Sequence, residues 1–188
     1  MKTLIHVCLI MLVVFGSNPS FAHKSERSNQ LKKLYFDAAR NGDIELLSTF
    51  YNAGLSVNIA NEKGYTALIL SAYNGQTETV NYLLSVEDIN PCQEDIKGNT
   101  ALMGAIFKGN FRIAKSLMGL DCEVDQANQN GQTALMFATL FDRQEIIEEL
   151  IAQGANVDLK DSNSRSLSDI AASQGNQTLA DKFKPSKP

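Results

Sequence analysis

The chain has 188 residues, 17 basic against 21 acidic side chains and a formal net charge of −4. That balance excludes a protein built to neutralise nucleic-acid phosphates, which needs clustered lysine and arginine; the longest basic run is Lys32-Lys33. With 44% apolar and 20% charged residues, there is enough apolar side chain for one continuous core.

The first element in chain order reads as a leader. Met1-Lys2 is a short basic start, Leu4 to Phe15 is nearly all apolar, and Ser20-Phe21-Ala22 sets small residues where a signal peptidase reads them. Residues 1–22 are therefore expected to be a secretory signal, cleaved after Ala22. About 12 apolar residues fall short of the ~20 that cross a hydrocarbon core, so no membrane insertion is expected once the signal is removed. Cys8 lies inside the apolar stretch and not at its end, which argues against a lipid anchor. Loss of Lys2 leaves 16 basic and 21 acidic side chains, a net −5, in an export compartment where disulfides form.

A polar segment follows at 23–30, and from 31 to 183 the chain keeps a beat. Gly64-Tyr-Thr-Ala-Leu68, Gly98-Asn-Thr-Ala-Leu102 and Gly131-Gln-Thr-Ala-Leu135 recur at steps of 34 and 33 residues, and Ser164-Arg-Ser-Leu167 is a worn fourth copy. A period of this length marks one supersecondary unit stacked on copies of itself. The units are 31–63, 64–97, 98–130, 131–163 and a truncated cap at 164–183, with a tail at 184–188.

Each unit predicts two helices. In the fourth, Thr133 caps the first helix, Ala134, Leu135 and Ala138 give it small and apolar contacts, and a break is expected near Asp142. The second helix buries Ile146, Ile147, Leu150 and Ile151 and turns Glu145, Glu148 and Glu149 to solvent, and Gly154 ends it in the left-handed region. The matching second helices are expected to bury Ile44, Leu46 and Leu47; Val80, Leu83 and Leu84; and Ile113, Ala114, Leu117 and Met118. Gly42, Gly75, Gly109 and Gly175 mark the break between helices, and Asp142 stands in for glycine because Asp visits positive φ more readily than most residues. The first helix of the stack is expected to begin at Leu31, and the cap helix is wetter, as a terminal unit must be.

The pattern resembles the ankyrin repeat: the Gly-x-Thr-Ala-Leu phrase, the inter-helix Gly and Gly154-Ala-Asn-Val-Asp158 match that family's scheme over about residues 31–183. The resemblance implies an all-α repeat solenoid of helix pairs joined by short β-hairpin-like turns. Two departures stand out. Ala67, Ala101 and Ala134 replace the family's frequent Pro, and Ile69, Met103 and Met136 replace its frequent His. Without that His, loop stacking is expected to rest on backbone hydrogen bonds and apolar packing. Repeat two also has a longer turn at Asn90-Pro-Cys-Gln-Glu-Asp95.

Cys92 and Cys122 are the cysteines that outlast the leader. Either they bridge neighbouring repeats or they are two small side chains near hairpin bases; no CxxC spacing points to a redox or zinc site. With only His6 and His23, neither inside the repeats, nothing supplies a nucleophile–base pair or an imidazole metal site. No phosphate-cradling loop occurs. The chain is read as a non-enzyme with no cofactor and no metal.

The resemblance also places the end of each first helix, and the turn tips, on a concave face. Down the stack that face reads Arg40-Asn41, Tyr73-Asn74, Phe107-Lys108, Leu140-Phe141 and Ser173-Gln174. Tyr73, Asn74, Phe107, Lys108, Leu140 and Phe141, with Tyr65, Ile96 and Lys97 from the tips, are the candidate partner-binding residues, the rings as anchors. The bland alternative is that the rings pack only between helices. The expected role is an exported, monomeric, periplasmic module that clamps a protein partner. Small exported bacterial relatives of this kind resemble either protective proteins linked to a catalase and peroxide resistance, or immunity proteins that neutralise a secreted enzyme such as a phospholipase. The Gly-x-Thr-Ala-Leu-Met context of Met103 and Met136 looks like the first group. A loosely binding envelope scaffold is a third reading, and the sequon at Asn176-Gln-Thr178 leaves a glycosylated, non-bacterial secreted protein open.

Overall fold

The computed structural model describes residues 21–184. The expected leader lies outside them except for Phe21 and Ala22, as does the tail beyond Lys184. The described residues form ten helices and no strand: α1 Phe21–Asn41, α2 Ile44–Asn52, α3 Ala67–Tyr73, α4 Thr77–Leu84, α5 Ala101–Lys108, α6 Phe111–Met118, α7 Ala134–Leu140, α8 Gln144–Ala152, α9 Leu167–Ser173 and α10 Gln177–Lys182.

Each first helix starts where a hydroxyl can take an orphan N–H. Thr66, Thr100 and Thr133 accept from the N–H groups of Ile69, Met103 and Met136, and Ser166 forms a capping box with Asp169. The first helices pack on one another in sequence, α1 on α3, α3 on α5, α5 on α7 and α7 on α9. Ala72, Ala101, Ala105, Ala138 and Ala171 are fully buried between them, so small side chains set a close approach. A second layer runs through α2, α4, α6 and α8, whose Leu47, Val80, Leu83, Ile113, Ile146, Ile147 and Leu150 close the core. Ile44, Leu84 and Ile151 are only half-buried, because they sit at the edge of the apolar stripe. Helix α1 begins at Phe21 and not at Leu31. Its extra turns run through Lys24 to Gln30, residues that propagate a helix without any apolar period to announce it.

The turn tips stack as fingers. In each, one Asn or Asp receives two backbone N–H groups through its side chain: Asn61 from Lys63 and Tyr65, Asp95 from Lys97 and Asn99, Asn128 from Asn130 and Gln132, Asp161 from Asn163 and Arg165. The fingers then join by main chain, the N–H groups of Ile96, Gln129 and Ser162 donating to the carbonyls of Lys63, Lys97 and Asn130 at 3.1, 2.9 and 2.8 Å. Backbone bonds thus join these neighbouring fingers, as the missing His implied, and side-chain amides add to them, Gln129 Nε2 donating to the Ile96 carbonyl at 2.8 Å. Gly98 has φ +77°, and a Cβ there would meet the Cα of Asn128 at 2.9 Å. Ser164 holds the same left-handed conformation, φ 62°, in the last finger of the stack.

A second set of ties, invisible in the periodicity, lies at the inter-helix breaks. The residue after each break reaches back to the preceding repeat: Gln76 Nε2 to the carbonyl of Arg40 (2.8 Å), Asn110 Nδ2 to Ala72 (2.9 Å) and Arg143 Nε to Ile106 (3.4 Å). Asp142 sits at φ 51° as expected of a glycine substitute, and its carboxylate accepts from Asn176 Nδ2 at 2.9 Å. Asn176 is also the N-cap of α10, so both ends of the sequon's amide are engaged. A disulfide joins Cys92 and Cys122, with Cα atoms 5.6 Å apart, and so staples repeat two to repeat three. Among the described residues no helix is long and apolar enough to cross a membrane.

Candidate partner-binding groove

Between the fingers and the first helices runs a groove of about 560 Å³. Its helix wall is aromatic. The Tyr73 and Phe107 rings stack at 5.8 Å with planes 13° apart, and Phe107 meets Phe141 edge-on at 5.0 Å. Phe137, one turn before Phe141 on α7, adds a tilted contact at 6.4 Å. These rings therefore pack on each other and yet leave Tyr73 and Phe107 each 41% exposed. The packing between helices is thus present, and the rings keep an open face as well.

The finger wall is polar. Asp95 is buried there, its oxygens taking the N–H groups of Lys97 and Asn99 and the Asn99 amide at 3.2 and 3.0 Å. Asn128 Nδ2 donates to Asn99 Oδ1 at 2.9 Å, tying one finger to the next. Among the described residues every buried side-chain nitrogen and oxygen has a partner. Nowhere among them do three or more His, Cys, Asp or Glu gather as a metal site would require.

Of the candidates read from sequence, Tyr65, Tyr73, Asn74, Lys97 and Phe107 line the groove. Lys108 stands over the Tyr73 ring, its Nζ 5.0 Å from the centroid. Leu140 and Phe141 are half-buried beyond the lining, with Phe141 supporting Phe107 from behind. Ile96 points from the finger tip, 59% exposed, and lies off the groove itself. Arg40, on the face read from sequence, and Gln132, at a turn tip, also line the groove, together with Asn130 and Phe137, which the sequence did not single out. Phe137 had a signal, since it lies one helical turn from Phe141; Asn130 depends on how neighbouring fingers lie against each other.

Paired short helices stacked in register, with fingers joined main chain to main chain, define a repeat solenoid. Residues 35–128 and 102–183 match the family model described as ankyrin repeats (3 copies), and the chain belongs to the ankyrin-repeat family. It is similar to a homolog of transient receptor potential cation channel subfamily A member 1 from Caenorhabditis elegans, 29% identical over 77% of this chain and 12% of that protein. An ankyrin repeat-containing protein of Treponema pallidum is 30% identical over 64% of this chain and 40% of its own length. The ankyrin repeat and SAM domain-containing protein 6 of Danio rerio is 26% identical over 80% of this chain and 20% of its own. The chain thus spans well under half of each of these relatives. Ankyrin repeats are protein-binding modules, and that much of the function follows from the family.

Proposed function

We propose that the chain is an exported, non-enzymatic module that clamps one partner protein in the groove, with Tyr73 and Phe107 as anchors and Lys97, Lys108, Asn74 and Tyr65 around them. The observation that carries this is the half-exposed ring ladder facing a polar wall. Stacked rings held in place present apolar area at little loss of rotamer entropy. The wall's one carboxylate, Asp95, has its oxygens occupied, so the groove offers recognition and not acid–base chemistry.

Export to the periplasm is supported by the leader pattern of residues 1–22 and by the disulfide, a bond that persists in oxidising compartments. Within that setting we favour a protective role linked to a catalase, on the Met context of the repeats. Met103 and Met136 are each 1% exposed, so protection would act through the partner and not through these thioethers. The immunity reading uses the same groove on a secreted enzyme. Affinity capture from the cell envelope, with the wild-type chain and a Phe107→Ala/Phe141→Ala variant side by side, tests the proposal. A dominant protein held by the first and lost by the folded second supports it, and a catalase or a secreted hydrolase among the lost proteins separates the two roles. Equal retention by both chains removes the groove from consideration, and a diffuse set of clients favours the scaffold.

A further inference from the structure

Charge on this chain is unevenly placed, and the groove carries the minority sign. The whole chain is net −4, and acidic Glu45, Glu78, Glu145 and Glu148 stand exposed on the second helices, away from the groove. Inside the groove the charged lining is Arg40, Lys97 and Asp95. Asp95 is buried and committed to its own finger, while Arg40 is paired with Asp37 at 2.6 Å. Lys97 and Lys108 are exposed and form no ion pair among the described residues. Lys108 is fixed over Tyr73, which sets one uncommitted cation at the lip of the ring ladder, and Lys97 supplies another from the fingers.

The finger wall adds a second element. The carboxamide of Asn130 and the Nε2 of Gln132 line the groove without a hydrogen-bond partner among the described residues. Free amides along one wall, rings along the other and lysines at the edge suit an open strand of polypeptide. Main-chain groups can bond to the amides, and side chains alternate between the rings and the rim. Potential complementarity of this kind speeds encounter and selects against wrongly charged partners.

Resting on the groove reading above, we infer that the occupant is an extended acidic segment of the partner protein, its apolar side chain on the Tyr73–Phe107 step and its carboxylates beside Lys97 and Lys108. The probe is a dansyl-labelled peptide, Glu-Phe-Glu-Leu-Glu-amide, compared by fluorescence anisotropy with Lys-Phe-Lys-Leu-Lys-amide on the purified chain. The acidic peptide binds and weakens steadily with added salt, and the lysine peptide does not bind. Lys97→Glu/Lys108→Glu weakens binding about tenfold, and the neutral Lys97→Gln/Lys108→Gln pair weakens it less, both with an unchanged melting temperature. Charge reversal at Arg112 and Lys115, exposed on the second helix α6 and outside the groove lining, leaves binding as it was. Overturning results are equal binding of both peptides, binding of neither, indifference to the Lys97 and Lys108 substitutions, or displacement by a single-stranded oligonucleotide as readily as by unlabelled acidic peptide. The captured envelope partner separates the two levels: lost from Phe107→Ala/Phe141→Ala but kept by Lys97→Glu/Lys108→Glu, it ends the acidic-segment inference and spares the groove; lost from neither, it ends both.

Discussion

Single residues in this chain answer to the unit above or below them. Gly98 and Gly175 share φ +77°, so alanine at either costs about 1–2 kcal/mol for the left-handed backbone. Only at Gly98 would the added Cβ also strike backbone, that of Asn128 at 2.9 Å; at Gly175 nothing lies within 4 Å. Gly98→Ala should therefore lose about 1–3 kcal/mol more than Gly175→Ala, read as urea midpoints at constant m-value. Asp161 gives a pH-dependent counterpart. Burial raises its pKa, but hydrogen bonds from the Arg165 side chain and from the N–H groups of Arg165 and Asn163 outweigh that and hold it below the ordinary carboxylate value. A depressed folded-state pKa means the unfolded chain takes the proton first. The stabilisation is complete above about pH 3.9 and fades as pH falls through the folded value. Asp161→Asn keeps the finger's acceptor, as Asn61 and Asn128 do, and loses the ion pair to a guanidinium that is 40% exposed. It should cost about 0.5–1 kcal/mol at pH 7, and the gap to wild type should narrow in urea titrations as the pH falls below about 3.9.

At the scale of elements, seven- and eight-residue helices such as α3 and α5 are too short to hold alone and owe their order to neighbours. The ring ladder is part of that neighbourly support. Phe107→Ala removes two ring contacts, each of about 0.5–1.5 kcal/mol, and should lower stability by about 1–2 kcal/mol in chemical denaturation while the chain keeps its helical circular dichroism. A loss several times larger would mean that the rings serve the core first and a partner second. The Thr caps, the left-handed breaks and the order Tyr73, Phe107, Phe141 are written in local chemistry and spacing, and the helices follow them. The early start of α1 is not, because Lys24-Ser-Glu-Arg27 carries no apolar period. Nor is the bond from Asn128 to Asn99, which crosses between fingers and exists only once one lies on the next.

For the molecule as a whole, the stack has a reinforced middle. Removing the Cys92–Cys122 bond, which closes a separation of 30 residues, should lower stability by about 3–4 kcal/mol on the chain-entropy account. Cys92→Ser/Cys122→Ser and the reduced wild type should then share one lowered melting temperature, and neither should lose the acidic peptide at a temperature where both are folded.

In a one-dimensional stack each unit contacts only its neighbours, so opening starts at the free ends and travels inward. The staple sits between the two repeats that supply Tyr73 and Phe107. The terminal units can fray and re-form, with α1 or α10 coming away for a time, and the step between those rings is the last to part. A partner held there, as proposed, would not feel the breathing of the ends, and grip would outlast wholeness.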